Sequence, residues 1–231
     1  MDNEIRLTGG RITQAVMRRG DFVHRSVCAN SPFVHEVLRF LEGRNANRAP
    51  RFHGIDERGR EILDYIDGTV PDNLGRFSAE QCRQAARIIK TLHDHLKYFP
   101  GCPDGWTVCH NDLSPCNFVF AGGEPIAVID WDAAAFGHPL DDLAYAAWMW
   151  LDIGNKENSF SSVNRRIRAM LDAYGASVPI RDDFGPRMLI QMDRVAAGAY
   201  PTKEQADAAR AWAFACKAWL ASFLSEHPSF T

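Results

Sequence analysis

The stretch 108–142 constrains this chain most, because it combines a hairpin signal with a dense set of polar side chains. A Gly-Gly pair lies between two short apolar runs, 118–120 and 126–129. Glycine pairs between apolar runs are typical of β-hairpins. A hairpin of this length brings its outer ends together, so we expect Asn117 and Asp130 to lie close in space.

The polar residues around this hairpin suit phosphoryl transfer. Asp112 precedes Asn117 by five positions in an irregular Ser-Pro loop, and Asp132 follows Asp130. Mg²⁺ accepts carboxylate and amide oxygens together with water and phosphate, so Asn117 and Asp130 are predicted metal ligands and Asp132 a further one. Asp112 is the predicted base, because a carboxylate free of metal can orient a hydroxyl and accept its proton. The spacing His110-x-Asp112-x4-Asn117 is typical of a kinase catalytic loop.

Each of these residues also has a simpler interpretation. A lone aspartate in a loop is usually a turn former or a helix cap, and Asn117 and Asp130 can cap the ends of an ordinary hairpin. The joint occurrence of the set, in order and closed by a hairpin, favours the catalytic interpretation.

Three segments in this stretch resemble the aminoglycoside phosphotransferase and choline kinase-like family: HNDLSPCN (110–117), VIDW (128–131) and GHPLDDLA (137–144). The resemblance implies a two-lobed, protein-kinase-like α+β fold. A small N-terminal lobe (1–68) would hold an antiparallel sheet with one helix, and the C-terminal lobe (69–231) would be larger and mainly helical.

The resemblance also implies a reaction and its cofactors. The γ-phosphate of ATP would pass, with Mg²⁺, to a hydroxyl of a small molecule: an aminoglycoside, a choline-like amine or a sugar-like compound. Asp112, Asn117 and Asp130 take the catalytic positions. His110 and Asp142 are supporting residues; Asp142 would reach back to hold the backbone of the catalytic loop.

Nucleotide-binding residues in the N-terminal part follow from the same resemblance. The turn at Gly10 would lie over the phosphates, and Arg25 replaces the usual strand lysine, a position from which arginine can bind phosphate through two hydrogen bonds. Glu36 would pair with Arg25, and the backbone near Tyr65 and Ile66 would bond adenine. The alternatives are a turn glycine, a solvated strand arginine and a surface glutamate.

The sequence predicts the regular elements from apolar spacing and caps. Strands are expected at 5–7, 12–17, 22–27, 51–55 and 60–66, with a turn over 18–21. Helices are expected at 31–43, opened by the Ser31 hydroxyl, and at 78–95, 139–153, 159–174, 183–195 and 202–224.

Acceptor recognition is expected from the C-terminal helices. A polycationic aminoglycoside would need several free carboxylates, for which the candidates are Asp132, Asp141, Asp152, Asp172, Asp182, Asp183 and Asp193. A choline-like amine would need an aromatic cage. Trp131, Tyr145, Trp148 and Trp150 are the candidates for a cage, and core packing is their alternative.

Composition excludes several classes of protein. A net charge of −3 without a basic block argues against a nucleic-acid partner. The N-terminus lacks the pattern of a signal peptide, and the densest apolar run, 143–151, is too short to span a membrane. Six cysteines without a C-x-x-C pair predict free thiols and a cytoplasmic location.

Two other functions stay open. The chain can be a nucleotide-binding module with little or no turnover, in which Arg25 marks a decayed phosphate site. A phosphotransferase acting on protein side chains is disfavoured, because only eight residues separate Asp130 from Pro139 and leave no room for an activation loop.

Overall fold

A computed structural model of the protein describes residues 4–7, 16–74, 76–226 and 230. The strands are β1 (Ile5–Arg6), β2 (Met17–Arg19), β3 (Phe22–Ser26), β4 (Phe52–Ile55), β5 (Arg60–Asp64), β6 (Thr107–Cys109), β7 (Phe118–Ala121), β8 (Glu124–Val128) and β9 (Ala135–Gly137). The helices are α1 (Ser31–Gly43), α2 (Ala79–Leu96), α3 (Pro139–Trp150), α4 (Phe160–Tyr174), α5 (Val178–Ala196) and α6 (Lys203–Glu226). A 3₁₀ turn, Pro115–Asn117, precedes β7.

The N-terminal part is a five-stranded antiparallel sheet in the order β1-β2-β3-β5-β4. The register of β3 and β5 sets Arg25 opposite Glu61. One face of α1 is buried in the core, and its N-cap is Asn30 rather than the expected Ser31. The Ser31 hydroxyl instead accepts a hydrogen bond from the backbone N–H of Cys28, which removes it from the capping position.

The turn predicted over 18–21 is shorter than expected. Arg18 and Arg19 belong to β2, and the chain turns at Gly20 and Asp21. Gly20 has φ +59°, a conformation that glycine adopts without the steric cost of a Cβ atom. Most of the strand expected at 12–17, and Gly10, lie outside the described residues.

The predicted hairpin is confirmed as β7 and β8. Phe118 pairs with Val128, and the N–H of Ile129 donates to the carbonyl of Asn117 at 2.9 Å, so the outer ends meet as expected. Thr69 exchanges backbone hydrogen bonds of 2.9 and 2.8 Å with Phe120 of β7. Along β8, the carbonyl of Arg48 accepts from the N–H of Val128 at 2.8 Å. Each outer edge of the hairpin is therefore paired at one position, β7 with Thr69 and β8 with Arg48.

The rest of the described chain is mainly helical, with α2 packed on α4 and α5 on α6. The Ser78–Gln81 capping box predicted for α2 is present, with both of its hydrogen bonds. Helix α5 begins at Val178, five residues before the predicted start, because Ser177 and Pro179 form a helix start that apolar spacing does not reveal. Within the described ranges, no helix is long and apolar enough to cross a lipid bilayer. The division into 1–68 and 69–231 stays a prediction.

Candidate active site

Asp112 lies in the loop between β6 and the 3₁₀ turn, where its neighbours hold both its backbone and its side chain. The Tyr145 hydroxyl of α3 donates to Asp112 Oδ1 at 2.9 Å. The side-chain amide of Asn117 donates to the Asp112 carbonyl at 2.8 Å. Burial, followed by the charge of Asp112, raises the pKa of Tyr145 well above its ordinary value, so the phenol stays protonated and donates.

His110 connects this loop to the hairpin. The backbone N–H of Asp112 donates to His110 Nδ1 at 3.2 Å, so Nε2 carries the ring proton of the neutral imidazole and donates to the carbonyl of Ile129 at 3.0 Å. The ring is buried and makes edge contact with Trp131. With both nitrogens engaged in structural hydrogen bonds, His110 has the geometry of a loop-holding residue.

Asp142 is buried at the start of α3 and holds the backbone of the same loop, as expected from the resemblance. It accepts from the N–H groups of His110 at 2.7 Å and Asn111 at 2.8 Å. Burial opposes its ionisation, but the hydrogen bonds from His93 and the loop lower its pKa on balance. Asn111 is held in the left-handed region at φ +63°, which an Asn tolerates better than most residues.

The sequence suggests that His93 is a polar residue at the end of a helix rather than a metal ligand, but its ring is buried beside this loop. Its Nε2 is 3.1 Å from Asp142 and its Nδ1 2.8 Å from the Tyr174 hydroxyl. His93, Asp142 and Cys109 lie close enough together to suggest a metal site. However, the Cys109 thiol donates to the carbonyl of His138 and burial raises its pKa, while His93 and Asp142 bond each other. The position of His93, four residues after the buried Ile89, was the available signal.

The two aspartates after β8 face an arginine from the N-terminal sheet. Arg25 donates from one terminal nitrogen to Asp130 at 2.8 Å and from the other to Asp132 at 2.5 Å, while its Nε donates to Glu61 at 2.5 Å. The side chains of Arg25 and Glu61 are only 7% and 1% exposed, against 39% for Asp130 and 35% for Asp132. The aspartates therefore lie at the open side of the cluster.

The charges of this cluster do not balance. One guanidinium faces three carboxylates, which leaves a formal charge of −2. Burial and the charge of Asp130 together outweigh Arg25 and raise the pKa of Asp132, while the three acids raise that of Arg25 against the effect of burial. Excess negative charge on oxygen ligands suits a divalent cation.

The donor set fits Mg²⁺. Asp130 and Asp132 supply carboxylates, and Asn117 spends its amide nitrogen on the Asp112 carbonyl, which leaves its oxygen as a ligand. Asp130 has φ +62°, an uncommon conformation for a residue other than glycine and one found often at functional sites. These residues could hold the metal.

The expected ion pair between Glu36 and Arg25 is wrong. Glu36 is exposed on α1, and Arg25 pairs with Glu61 instead, because the β3–β5 register sets these two residues opposite each other. His35, the neighbour of Glu36, turns inward and its Nε2 lies 2.6 Å from Glu61. Sequence analysis missed both Glu61 and His35.

The segment expected to bind adenine directly follows β5. The N–H of Tyr65 donates to the carbonyl of Asp21 at 2.8 Å. The expected bonds to adenine would therefore come from the Tyr65 carbonyl or from the backbone of Ile66. The guanidinium of Arg18 lies over the Tyr65 ring at 3.5 Å.

The candidate acceptor residues are mostly engaged elsewhere. Trp131, Trp148 and Trp150 are buried in the core, so core packing is the correct interpretation for these three rings. Most of the candidate aspartates form ion pairs: Asp132 with Arg25, Asp141 with Arg187 and Arg194, Asp172 with Arg181, Asp183 with Arg187, and Asp193 with Lys217.

Solved structures resemble this fold over nearly its whole length. A microcompartment-associated aminopropanol kinase matches 100% of this chain and 95% of its own with a TM-score of 0.66 at 13% identity. An amicoumacin kinase, solved with AMP-PNP and Ca²⁺, matches 99% and 89% with a TM-score of 0.67 at 9% identity. A choline/ethanolamine kinase family protein from Mesorhizobium loti matches 96% and 88% with a TM-score of 0.59 at 18% identity. The kinase-like fold is thereby confirmed.

Sequence comparison identifies the family. The trifolitoxin immunity protein of Rhizobium leguminosarum bv. trifolii is 32% identical over 254 aligned residues, which cover 98% of this chain and 97% of the relative. The model of the phosphotransferase enzyme family matches residues 97–175, which include the whole catalytic loop and hairpin. This chain belongs to the phosphotransferase enzyme family.

Proposed function

We propose that the protein transfers the γ-phosphate of ATP, in the presence of Mg²⁺, to a hydroxyl of a small molecule. The observation that carries this proposal is the separation of two kinds of carboxylate in one site. Asp130 and Asp132 lie in the charged cluster of Arg25, whereas Asp112 bonds the neutral Tyr145. Phosphoryl transfer needs this division between metal-binding acids and a base.

Each residue then has one task. Asp112 orients the acceptor hydroxyl and accepts its proton, while Asn117 and Asp130 hold the metal and Asp132 supplements them. Bound Mg²⁺ would neutralise the charge of the phosphate oxygens. Arg25 supplies a fixed positive charge for the same phosphates. Positioning and charge neutralisation provide most of the rate in such reactions.

The acceptor that the site favours is a sugar-like or otherwise uncharged alcohol. Ion pairing of most candidate aspartates weighs against a polycationic aminoglycoside, because an arginine or lysine already neutralises much of the charge that an amine would need. Burial of the three tryptophans weighs against a choline-like amine, whose trimethylammonium group needs accessible aromatic faces. The name of the immunity protein further supports a protective role, in which the acceptor is a toxin bearing a hydroxyl.

A second candidate function is nucleotide binding with little turnover. The observation that favours it is the position of Arg25, which bridges the two carboxylates expected to bind the metal. A side chain that kept these bonds would engage one oxygen of Asp130 and both of Asp132, and would compete with Mg²⁺ for them.

Calorimetric titration of the full chain with ATP, with and without Mg²⁺, tests both candidates. We expect magnesium-dependent binding, followed by phosphate transfer to one or more alcohols in a screen of sugars, amino alcohols and aminoglycosides with γ-labelled ATP. Binding without transfer to any acceptor would favour the second candidate, and no binding in either condition would refute both.

A further inference from the structure

We propose that Glu61, a strand residue, positions Arg25 for the phosphates of the nucleotide. This inference rests on the proposed function and adds a positioning residue to it. The family resemblance had given this task to Glu36 of α1, which the structure leaves exposed.

The bond from Arg25 to Glu61 is fixed by the sheet itself. The two residues are paired across β3 and β5, so both side chains lie on one face of the sheet. Arg25 Nε donates to Glu61 Oε1 at 2.5 Å, and both side chains are almost completely buried. A charged pair in such a place loses little to solvent screening.

The other oxygen of Glu61 is held independently. His35 Nε2 lies 2.6 Å from Glu61 Oε2, and the His35 ring stacks on Phe52 with 3.7 Å between ring centroids. Helix α1, through His35, therefore holds the Glu61 carboxylate on the side away from Arg25. Its N-cap, Asn30, also donates to the carbonyls of Asp132 and Ala134 at 2.9 Å, which ties the same helix to the segment that carries the second aspartate.

In this arrangement the nitrogens of the guanidinium have two different surroundings. Glu61 holds Nε in the buried part of the cluster, and the terminal nitrogens point to the open side, where they bond Asp130 and Asp132. A phosphate would therefore reach Arg25 at the terminal nitrogens, in exchange for or beside their bonds to Asp130 and Asp132. With Nε anchored, a phosphate would meet a guanidinium whose position is already set, so less side-chain freedom would be lost on binding.

Two matched substitutions test the inference. Glu61→Gln removes the charge that holds Nε, whereas Glu36→Gln makes the same chemical change one helix away. By calorimetry with Mg·ATP, we expect Glu61→Gln to weaken binding about 10–100-fold, the range found when a group that orients a metal ligand is removed, because Glu61 orients Arg25 in the same way. Glu36→Gln should change the affinity less than about twofold, as for an exposed surface residue.

A double-mutant cycle distinguishes positioning from a loss of structure. In the background of Arg25→Ala, Glu61→Gln should cause little further loss of Mg·ATP affinity, since Glu61 acts through Arg25. Should Glu61→Gln fold too poorly for titration, Glu61→Asp keeps the charge but withdraws it from Nε by one methylene group, and it should also weaken binding.

The outcomes separate the inference from the proposed function. If the wild-type chain does not bind Mg·ATP, the proposed function fails and the inference fails with it. If the wild type binds but Glu61→Gln or Glu61→Asp binds equally well, or if the two Gln variants lose affinity equally, the proposed function stands and Glu61 has no positioning role. If Glu61→Gln weakens Mg·ATP binding by the same factor in the Arg25→Ala background as in the wild type, the positioning role of Glu61 is refuted as well.

Discussion

At the scale of single residues, the two acids at the catalytic loop differ in what they bond: the proposed base Asp112 has one oxygen toward Tyr145, and Asp142 holds the loop backbone. Tyr145 donates to one oxygen of Asp112, and under the proposed function the acceptor hydroxyl would bond the other. Asp142 is buried, and its carboxylate bonds the backbone N–H groups of His110 and Asn111 and the ring of His93. The two acids should therefore respond differently to loss of charge.

Asp112→Asn should stop the reaction without emptying the site. Loss of the base is expected to lower kcat by about 10²–10⁴-fold. Affinity for Mg·ATP should stay nearly unchanged, because Asp112 lies outside the cluster of Arg25. Labelled-phosphate assays and calorimetry measure the two quantities, with Asp94→Asn on the surface of α2 as the control. Wild-type turnover in Asp112→Asn would show that another group is the base.

Asp142→Asn should instead destabilise the fold. The substitution removes a buried anion that accepts two backbone N–H groups and bonds His93, so we expect a loss of about 2–4 kcal/mol in the free energy of unfolding. Denaturant titration measures the loss. Asp172→Asn, which alters an exposed pair with Arg181, should cost under about 1 kcal/mol.

The same variant has a predicted pH dependence. The pKa of Asp142 is lowered on folding, so its stabilising contribution is complete above the unfolded value near 3.8 and is lost as the pH falls through the folded value. The stability difference between wild type and Asp142→Asn should thus be constant near neutral pH and shrink below about pH 4. A constant difference down to pH 2 would contradict this.

A site residue can be predicted from the sequence when its partners lie close to it along the chain. Asp112, Asn117 and Asp130 share one loop and hairpin, so sequence order alone predicts that they meet. Glu61 lies 36 positions from Arg25, and their contact depends on the register of two strands joined through a helix and another strand. Sequence alone does not fix such a register.

At the scale of elements, the chain between β5 and the hairpin passes very close to β7. A Cβ atom on Gly68 would lie 2.4 Å from the carbonyl oxygen of Phe120 and 2.6 Å from Cγ1 of Val119. Glycine is required here by close approach to backbone.

Gly68→Ala is therefore expected to destabilise the protein by about 1–3 kcal/mol, as for overpacked sites. Gly43→Ala, at the end of α1, has no atom within 4 Å of the added Cβ and should be neutral or slightly stabilising. Thermal denaturation of the two variants measures the difference. Equal melting temperatures would mean that the segment moves away from β7 at little cost.

Helix ends were predictable where the cap is in the sequence. The capping box at Ser78 and the glycine after α4 mark real boundaries. Apolar spacing placed the start of α5 too late, because its first turn, including Pro179, is largely exposed. Pro186 inside the same helix also interrupts the expected pattern.

At the scale of the whole molecule, the site is assembled from both parts of the chain. Arg25, Glu61 and His35 come from the N-terminal sheet and its helix, and Asp130 and Asp132 come from the segment after the hairpin. A nucleotide that binds here contacts both parts. Its binding free energy should therefore add to the stability of the whole fold.

Mg·ATP at about 100 times its dissociation constant should add about 2.7 kcal/mol to the stability and raise the melting temperature by about 5–10 °C. The shift should depend on Mg²⁺ and should be much smaller in Asp130→Asn, which lacks one of the predicted ligands. Differential scanning calorimetry measures it. An equal shift with ATP alone would mean that the metal does not contribute.

The backbone contacts at the edges of the hairpin bear on the tendency of the chain to aggregate. Thr69 pairs with β7 and Arg48 with β8, so neither strand offers open backbone groups along those contacts. Unpaired strand edges are where separate chains join into aggregates. A fragment that starts after residue 75 would lose both covering segments. It would keep the catalytic loop and α2, but the outer edges of the hairpin would lose these backbone partners, and we expect the fragment to aggregate more readily than the full chain.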